Sequence, residues 1–231
     1  MSWAKDNAIR ALCFDIDGTF YPKWQTDAYL VVSALSHPVF SLRYNSMRRR
    51  MRAVDGYEGG RVLSREEFRR KEMTLLSWRG GYDDYVEKYE RCMKRPWDRA
   101  MKGILECYPG VRQALERARA EGFLLAALSD FPISDKLEVL GLEGLFDFVA
   151  SSEDFGYLKP NEVPFNAMLK ALDVRPDEAL YVGDSYRKDI VGGARIGMRT
   201  MLVSARTGRE PHPMADLVLT SWRSFARMVL E

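Results

Sequence analysis

Six short apolar runs, each closed by polar or turn residues, constrain the fold of this chain more than any other feature. They cover residues 11–14, 124–128, 146–150, 180–182, 200–203 and, more weakly, 217–219. Continuous apolar runs of this length are typical of strands buried on both faces of a parallel sheet. Helix-length segments separate the later runs: Val111 to Glu121, Val163 to Leu172, and Asp189 to Ile196. This alternation predicts an α/β fold with a doubly wound parallel sheet.

The interval from residue 22 to residue 107 interrupts the alternation. It is too long for a crossover connection and contains no convincing strand. Its apolar periodicity predicts helices over residues 26–36, 41–54, 64–79, 82–94 and 97–106. A capping box, Ser64-Arg65-Glu66-Glu67, opens the third of them. We therefore expect a core domain of residues 1–21 and 108–231, with an all-helical domain of residues 22–107 inserted after the first strand.

Composition restricts the class of protein. The chain has 231 residues, of which 46% are hydrophobic and 29% charged, and this suits a soluble globular protein. No stretch approaches the roughly 18 consecutive apolar residues of a membrane span, and the N-terminal residues do not resemble a signal peptide. The three cysteines, Cys13, Cys92 and Cys107, are widely spaced, so we expect reduced thiols in a cytoplasmic protein.

Positive charge is concentrated in the interval between residues 23 and 107, which carries 18 Lys and Arg against 12 Asp and Glu. Such an excess can raise the local concentration of an anionic ligand, although charged helix surfaces are also common without one. The run Arg48-Arg49-Arg50-Met51-Arg52 contains no interleaved aromatic residue and matches no nucleic-acid motif. Nucleic acid is therefore not an expected partner.

Two carboxylates follow the first predicted strand, in the pentad Asp15-Ile16-Asp17-Gly18-Thr19. Side chains two residues apart at a strand end point the same way. One carboxylate can act as nucleophile and the other as general acid and base, with Mg²⁺ screening their repulsion. An Asp-Gly turn after a strand is a common structural feature, but the complete pentad is specific enough to predict a catalytic site.

Three weaker signals follow later strands, at the sheet edge where ligands bind in such folds. Ser129-Asp130 offers a hydroxyl for a phosphoryl oxygen, and Lys159-Pro160 offers a cation that can neutralise a phosphoryl group. Asp184 in Gly183-Asp184-Ser185, with Asp189 beyond it, offers hard oxygen ligands for Mg²⁺. Each signal is an ordinary turn or surface feature when taken alone.

Together these motifs resemble the haloacid dehalogenase superfamily of hydrolases, from Ala11 to about Leu219 apart from the insert. The resemblance implies a Rossmann-like core with a helical cap of the first class, formed here by the insert. It implies a Mg²⁺-dependent phosphatase that hydrolyses a small-molecule phosphate monoester through an aspartyl-phosphate. The partner expected on this basis is a small phosphorylated metabolite, and the expected assembly is a monomer or weak dimer.

The resemblance also implies a role for each motif residue. Asp15 is the nucleophile, and Asp17 protonates the leaving oxygen, activates water and ligates Mg²⁺ through its backbone carbonyl. Thr19 supports the loop, and Ser129 and Lys159 bind the phosphoryl group. Asp184 ligates Mg²⁺ beside Asp15, while Asp189 supports the metal. Asp130 departs from the pattern, since many relatives carry Asn there; it lies beside the phosphate site or caps the next helix.

Functions other than a phosphatase, within this family and outside it, require different residues. Dehalogenases and phosphonate-cleaving members lack an Asp at the position of Asp17, so phosphate esters are favoured. Sugar-phosphate mutases share every core residue and remain an alternative, as does a non-catalytic protein that binds a phospho-ligand. No Gly-x-Ser-x-Gly elbow or Gly-x-x-x-x-Gly-Lys phosphate loop occurs in the sequence.

The insert is expected to contact the leaving group of the substrate. Lys23 and Trp24 follow the nucleophile loop most closely and are the first candidates, and Arg43, Arg48 and Arg52 are the next. Three aromatic residues of the insert have helical spacing, which indicates a packing face rather than a binding surface. They are Tyr82, Tyr85 and Tyr89.

Overall fold

The computed structural model describes residues 2–25, 27, 31, 35, 37–104, 106–133, 135–204 and 212–231. Within them, six strands form one sheet: β1 (Ala11–Phe14), β2 (Leu124–Ser129), β3 (Phe148–Ser151), β4 (Ala179–Gly183), β5 (Arg199–Val203) and β6 (Leu217–Leu219). Their order is β3-β2-β1-β4-β5-β6, and every neighbouring pair is parallel. The predicted doubly wound sheet is therefore confirmed, with β1 at its centre.

The helices of the described residues are α1 (Trp3–Asp6), α2 (Pro38–Asp55), α3 (Arg65–Leu76), α4 (Tyr82–Tyr89), α5 (Arg95–Ile104), α6 (Val111–Ala120), α7 (Lys136–Val139), α8 (Glu162–Leu172), α9 (Val191–Arg195) and α10 (Phe225–Val229). Short 3₁₀ turns cover Ser152–Phe155, Pro176–Glu178 and Trp222–Ser224, and π-helical turns cover Glu90–Lys94 and Tyr186–Ile190. None of the described helices is both long enough and apolar enough to cross a membrane.

Strand β1 is apolar throughout because both faces of the sheet are covered. Leu12 and Phe14 pack on one face with α6 and the C-terminal helix α10. Ala11 and Cys13 pack on the other face against α8, where both are completely buried. The sheet therefore holds the residues that follow β1 in a rigid, dry frame.

The regular secondary structure described in the insert is all helical, as the sequence predicts. Helices α2, α3, α4 and α5 match four of the five predicted segments, with a π-helical turn joining α4 to α5. The remaining prediction, residues 26–36, lies largely outside the described residues. The capping box at Ser64 is formed, and Gly56 is the C-cap of α2.

The packing face predicted on α4 lies within the insert. Tyr85 and Tyr89 are buried there with residues of α2 and α3, while Tyr82 is half-buried and lies beneath Arg70.

A buried ionic cluster joins the insert to the sheet domain. We call it the Arg48 cluster; its members are Arg48, Arg69 and Glu72 from the insert and Glu153 from the turn after β3. Arg69 Nη2 lies 2.8 Å from Glu153 Oε2, and Arg69 Nη1 lies 2.6 Å from Glu72 Oε2. Arg48 also pairs with Glu153. Two positive and two negative groups therefore compensate each other out of contact with water.

Two predicted elements differ from the structure. The third strand begins at Phe148 rather than Phe146, because the Asp147 carboxylate accepts a hydrogen bond from Leu125 N at 2.8 Å. The helix predicted from Asp189 to Ile196 instead begins as a π-helical turn at Tyr186 and becomes α-helical at Val191.

Candidate active site

Asp15 lies directly after the central strand, where the sheet buries it almost completely. Its backbone N donates to Val182 O at 2.9 Å, so the main chain continues the pairing with β4. Thr19 Oγ1 donates to Asp15 Oδ2 at 3.1 Å, as expected for a residue that supports this loop. Gly18 has φ +96°, and a Cβ there would lie 2.5 Å from Asp184 Oδ2. The turn that brings these carboxylates together therefore requires glycine.

Lys159 is completely buried beside Asp15. Four acceptors lie within hydrogen-bond distance of its Nζ: Asp15 Oδ1 at 2.7 Å, Asp189 Oδ1 at 2.7 Å, Tyr181 Oη at 2.9 Å and Leu128 O at 3.1 Å. A buried ammonium with several acceptors is held in one position and one charge state. The lysine predicted from the third motif is therefore fixed against the predicted nucleophile.

The carboxylate of Asp17 contacts a different set of donors. Lys136 Nζ lies 2.8 Å from both of its oxygens, Ser129 Oγ donates to Oδ2 at 2.5 Å, and the Tyr21 hydroxyl donates to Oδ1. Burial alone would raise the pKa of Asp17, but Lys136 and the hydrogen bonds from Lys136, Ser129 and Tyr21 lower it below its ordinary value. Asp17 is therefore held ionised by donors other than Lys159.

Three carboxylates could hold a metal ion: oxygens of Asp15, Asp184 and Asp189 lie within 4.8 Å of one another. Asp184 Oδ1 is buried and has no hydrogen-bond partner within the described chain, so this oxygen is able to ligate a cation. The Asp189 oxygens already accept hydrogen bonds, from Lys159 Nζ at 2.7 Å and from Ser185 N at 2.9 Å. Three carboxylates are a donor set of hard oxygen atoms, which suits Mg²⁺.

Without a cation, this acidic group resists ionisation. Burial raises the pKa of Asp15 to about 7; Lys159 opposes the rise, while Asp189 and Asp184 add to it. The pKa of Asp184 is raised by burial and then by the charge of Asp189. These shifts are expected where carboxylates are gathered to bind a metal ion.

Asp130 is fixed by the insert and does not cap a helix, since the next helix begins at Lys136 after Asp135. Asp130 Oδ2 lies 2.8 Å from Arg52 Nη2, and Oδ1 accepts from Lys159 N at 2.9 Å. Arg52 Nε also donates to Lys159 O at 3.1 Å, and Arg48 donates to Asp130 O. Burial would raise the pKa of Asp130, but Arg52 and Lys159 hold it well below its ordinary value.

A cavity of about 460 Å³ lies above Asp15 and Asp17, between the sheet and α2. Of the predicted substrate contacts in the insert, Lys23, Arg48 and Arg52 line it. Trp24 is 62% exposed and is not among the lining residues. Arg43 instead donates to Leu76 O, within the insert. A cavity of about 470 Å³ beside Trp222 has no carboxylate in its lining and so offers no comparable nucleophile.

Several residues of the site were not found from the sequence. Lys136, Tyr21 and Tyr181 contact the motif residues directly, and Lys188 and Arg49 line the cavity. Lys136 lies in a short helix that carries no recognisable catalytic motif, whereas Tyr181 lies in the strand that ends at the Gly183-Asp184-Ser185 motif but is not part of that motif. Lys188 stands one residue before Asp189, so its position next to a predicted site residue could have identified it.

Comparison with known proteins gives consistent results. A family model for haloacid dehalogenase-like hydrolases matches residues 9–197. Glyceraldehyde 3-phosphate phosphatase of Methanopyrus kandleri is 31% identical over 225 residues, which cover 90% of this chain and 89% of that protein. Phosphoglycolate phosphatase of Aquifex aeolicus is 28% identical over 197 residues, 84% of each chain. The crystal structure of a HAD phosphatase from Thermococcus onnurineus has the same fold, with a TM-score of 0.63, 24% identity, and coverage of 95% of this chain and 97% of that one.

Proposed function

The chain belongs to the haloacid dehalogenase-like hydrolase family, and on that premise we propose that it is a Mg²⁺-dependent phosphatase of small phosphate monoesters. One observation carries the proposal: Asp15 is buried against Lys159, with Asp17 two residues further on, beneath a cavity. A nucleophile, a charge-neutralising cation and a second carboxylate are the groups that phosphoryl transfer through an aspartyl-phosphate requires. The relatives named as glyceraldehyde 3-phosphate and phosphoglycolate phosphatases support a small phosphorylated metabolite as substrate.

In the proposed reaction, an Asp15 oxygen attacks phosphorus, and the bond from phosphorus to the ester oxygen breaks. Thr19 and Lys159 hold the two Asp15 oxygens, so the carboxylate is oriented before the substrate arrives. Lys159 also offsets negative charge on the phosphoryl group, and Ser129, whose hydroxyl donates to Asp17 Oδ2, is proposed to bind the same group. Water then attacks the aspartyl-phosphate and releases inorganic phosphate, which restores the free carboxylate.

Asp17 is proposed to move the proton in both steps. The ionised form that Lys136 stabilises is the one that accepts a proton from the attacking water. Protonation of the leaving oxygen requires the opposite form, so Asp17 must take up a proton when the substrate phosphate enters. The negative charge of that phosphate favours this uptake, because it raises the pKa of a neighbouring carboxyl group.

The proposed ligands of Mg²⁺ are Asp15, Asp184 and the backbone carbonyl of Asp17, with Asp189 supporting them. The buried, unpartnered Asp184 Oδ1 supports this assignment. Bound there, Mg²⁺ would screen the repulsion between the Asp15 carboxylate and the phosphate dianion.

Residues 22–107 are proposed to act as the cap, which excludes water and contacts the leaving group above a core of residues 1–21 and 108–231. Lys23 remains the candidate contact near the nucleophile loop, and Trp24 has no support from the cavity lining. We also propose a cytoplasmic location, because the three cysteines are free thiols and two of them are buried.

The test is hydrolysis of p-nitrophenyl phosphate with and without Mg²⁺ by the wild type and two variants, Asp15→Asn and Asp17→Asn. Activity should require Mg²⁺ and fall below detection in Asp15→Asn, whereas Asp17→Asn should form the aspartyl-phosphate slowly and fail to release it. Asp83→Asn is the matched control, since Asp83 is exposed on α4. Turnover that survives in Asp15→Asn, with the control active, would overturn the assignment of the nucleophile.

A further inference from the structure

The insert wall of the cavity is formed by one face of α2. Its lining residues Leu42, Asn45, Arg49 and Arg52 are spaced three or four positions apart, and Arg48 adjoins them. Residues at this spacing lie side by side on a helix surface. The wall opposite Asp15 is therefore rich in arginine, and the question is which of these cations is available to a substrate.

Two of the three arginines are already engaged. Arg48 is buried and pairs with Glu153, and Arg52 pairs with Asp130 at 2.8 Å. Arg49 is exposed to the cavity and makes no hydrogen bond or ion pair with any described residue. Asn45, one turn earlier on the same face, is half-buried, and the described chain offers its amide no hydrogen-bond partner. These two side chains are the polar groups of the α2 wall left to contact a ligand.

Other charges around the cavity do not compensate Arg49. Lys23 and Asp27 contribute one charge of each sign from a single segment. Lys188 lies on the sheet side, where the charges of Asp189, Asp130 and Asp15 act on it. Lys188 is therefore placed to serve the phosphoryl group at the nucleophile, whereas Arg49 lies on the α2 wall.

We propose that Arg49 and Asn45 form a subsite for a second anionic group, so that the substrate is a small phosphomonoester carrying a carboxylate or a second phosphate. This inference rests on the proposed function, because it concerns the far end of the same substrate. A guanidinium binds a carboxylate or phosphate through two parallel hydrogen bonds, and an adjacent amide can donate a third. A cavity of about 460 Å³ is of the size that holds a small molecule.

The experiment compares substrates that differ in the charge of the tail. The first pair is 2-phosphoglycolate and ethyl phosphate; the second is 3-phosphoglycerate and glycerol 3-phosphate, with 1,3-propanediol bisphosphate to separate a phosphate tail from a carboxylate. The quantity measured is the ratio of kcat/KM for the anionic over the neutral member of each pair. The wild type should favour the anionic member about 10-fold or more, and Arg49→Gln should lower that ratio by about 10-fold to 100-fold, chiefly through KM.

The matched control is Arg50→Gln. Arg50 is the next residue of α2, but it donates to Leu75 O at 3.1 Å and does not line the cavity. This variant should keep the wild-type ratio. A wild-type ratio near one, or equal ratios in the two arginine variants, would overturn the proposed subsite.

A binding measurement separates this inference from the proposed function. Calorimetry with Mg²⁺ would compare 2-phosphoglycolate and ethyl phosphate on Asp15→Asn and on the double variant that also carries Arg49→Gln. Tighter binding of 2-phosphoglycolate that is lost in the double variant supports the subsite even if no phosphomonoester is turned over. Absence of turnover with every substrate would count against the phosphatase proposal alone, and equal binding of the two ligands would count against the subsite alone.

Discussion

Replacement of Glu153 by Gln tests whether the Arg48 cluster joins the insert to the sheet domain. Glu153 has no exposed side-chain surface, and its two cationic partners, Arg48 and Arg69, are 4% and 6% exposed. The substitution keeps the size of the side chain but removes its charge. Glu72 is then the only anion left in the cluster, so one buried positive charge loses its compensation.

The magnitude follows from that uncompensated charge. Breaking a buried ion pair by removing one partner costs about 3–5 kcal/mol, because the remaining charge stays out of water. For a protein of this size, each kcal/mol lowers the melting temperature by about 2–4 °C. We therefore expect Glu153→Gln to melt roughly 10 °C below the wild type. The loss should appear in the stability of the insert, because Arg48 and Arg69 lie on α2 and α3.

The assay is thermal and urea unfolding, followed by circular dichroism, with Glu143→Gln as control. Glu143 is exposed and makes no ion pair in the described structure, so its variant should remain within about 0.5 kcal/mol of the wild type. If Glu153→Gln is no less stable than Glu143→Gln, the cluster does not hold the insert and the reasoning is refuted.

The dependence on pH gives a second check on the same substitution. Burial would raise the pKa of Glu153, but Arg69 and Arg48 lower it below its ordinary value. A carboxyl group with a lowered folded pKa stabilises the protein above the unfolded value of about 4.3, and this contribution fades as the pH falls further. The difference between wild type and Glu153→Gln should therefore be complete at pH 7 and shrink below about pH 4. A difference that is constant with pH would mean that the charge of Glu153 is not its cause.

Three further predictions concern the site. Burial raises the pKa of Asp15 to about 7, so a proton competes with Mg²⁺ for its carboxylate, and calorimetry should show the Mg²⁺ affinity falling about fivefold from pH 7 to pH 6; equal affinity would contradict this. Arg52→Gln should lower kcat on p-nitrophenyl phosphate about tenfold by releasing Asp130 and the Lys159 carbonyl, whereas Arg43→Gln, its control, should not. Lys136→Met should raise the pKa of Asp17 and so move the rising limb of the pH–kcat profile up by one unit or more; an unmoved limb would refute that role.

Most of the sheet could be predicted from the sequence because a strand buried on both faces must be apolar throughout. The ends of the elements were less certain, since they depend on single hydrogen bonds. The sequence predicts Asp147 within the third strand, but its carboxylate accepts a hydrogen bond from Leu125 N, and the strand begins at Phe148. The π-helical turn at Tyr186 has no signature in apolar periodicity, because its position is fixed by contacts of Asp189 with Lys159 and Ser185.

The motif residues of the site could be predicted because short signals at strand ends meet at one edge of the sheet. The residues that set their charge could not. Lys136 is 119 positions from Asp17 along the chain, and it lies on a four-residue helix that carries no motif. Such a contact depends on how two distant segments pack, which the local pattern around either residue does not contain.

The partners of Asp130 could not be predicted from the residues next to it in the sequence. From sequence alone, another carboxylate beside the predicted phosphate site is unfavourable, since it would repel the substrate. In the structure its charge is compensated by Arg52, 78 positions away, and its other oxygen holds the backbone N–H of Lys159. Arg52 binds the Lys159 carbonyl as well, so one arginine of α2 holds both loops that approach Asp15. The carboxylate therefore links the position of the insert to that of Lys159, and a neutral residue at position 130 would weaken this link by removing the ion pair.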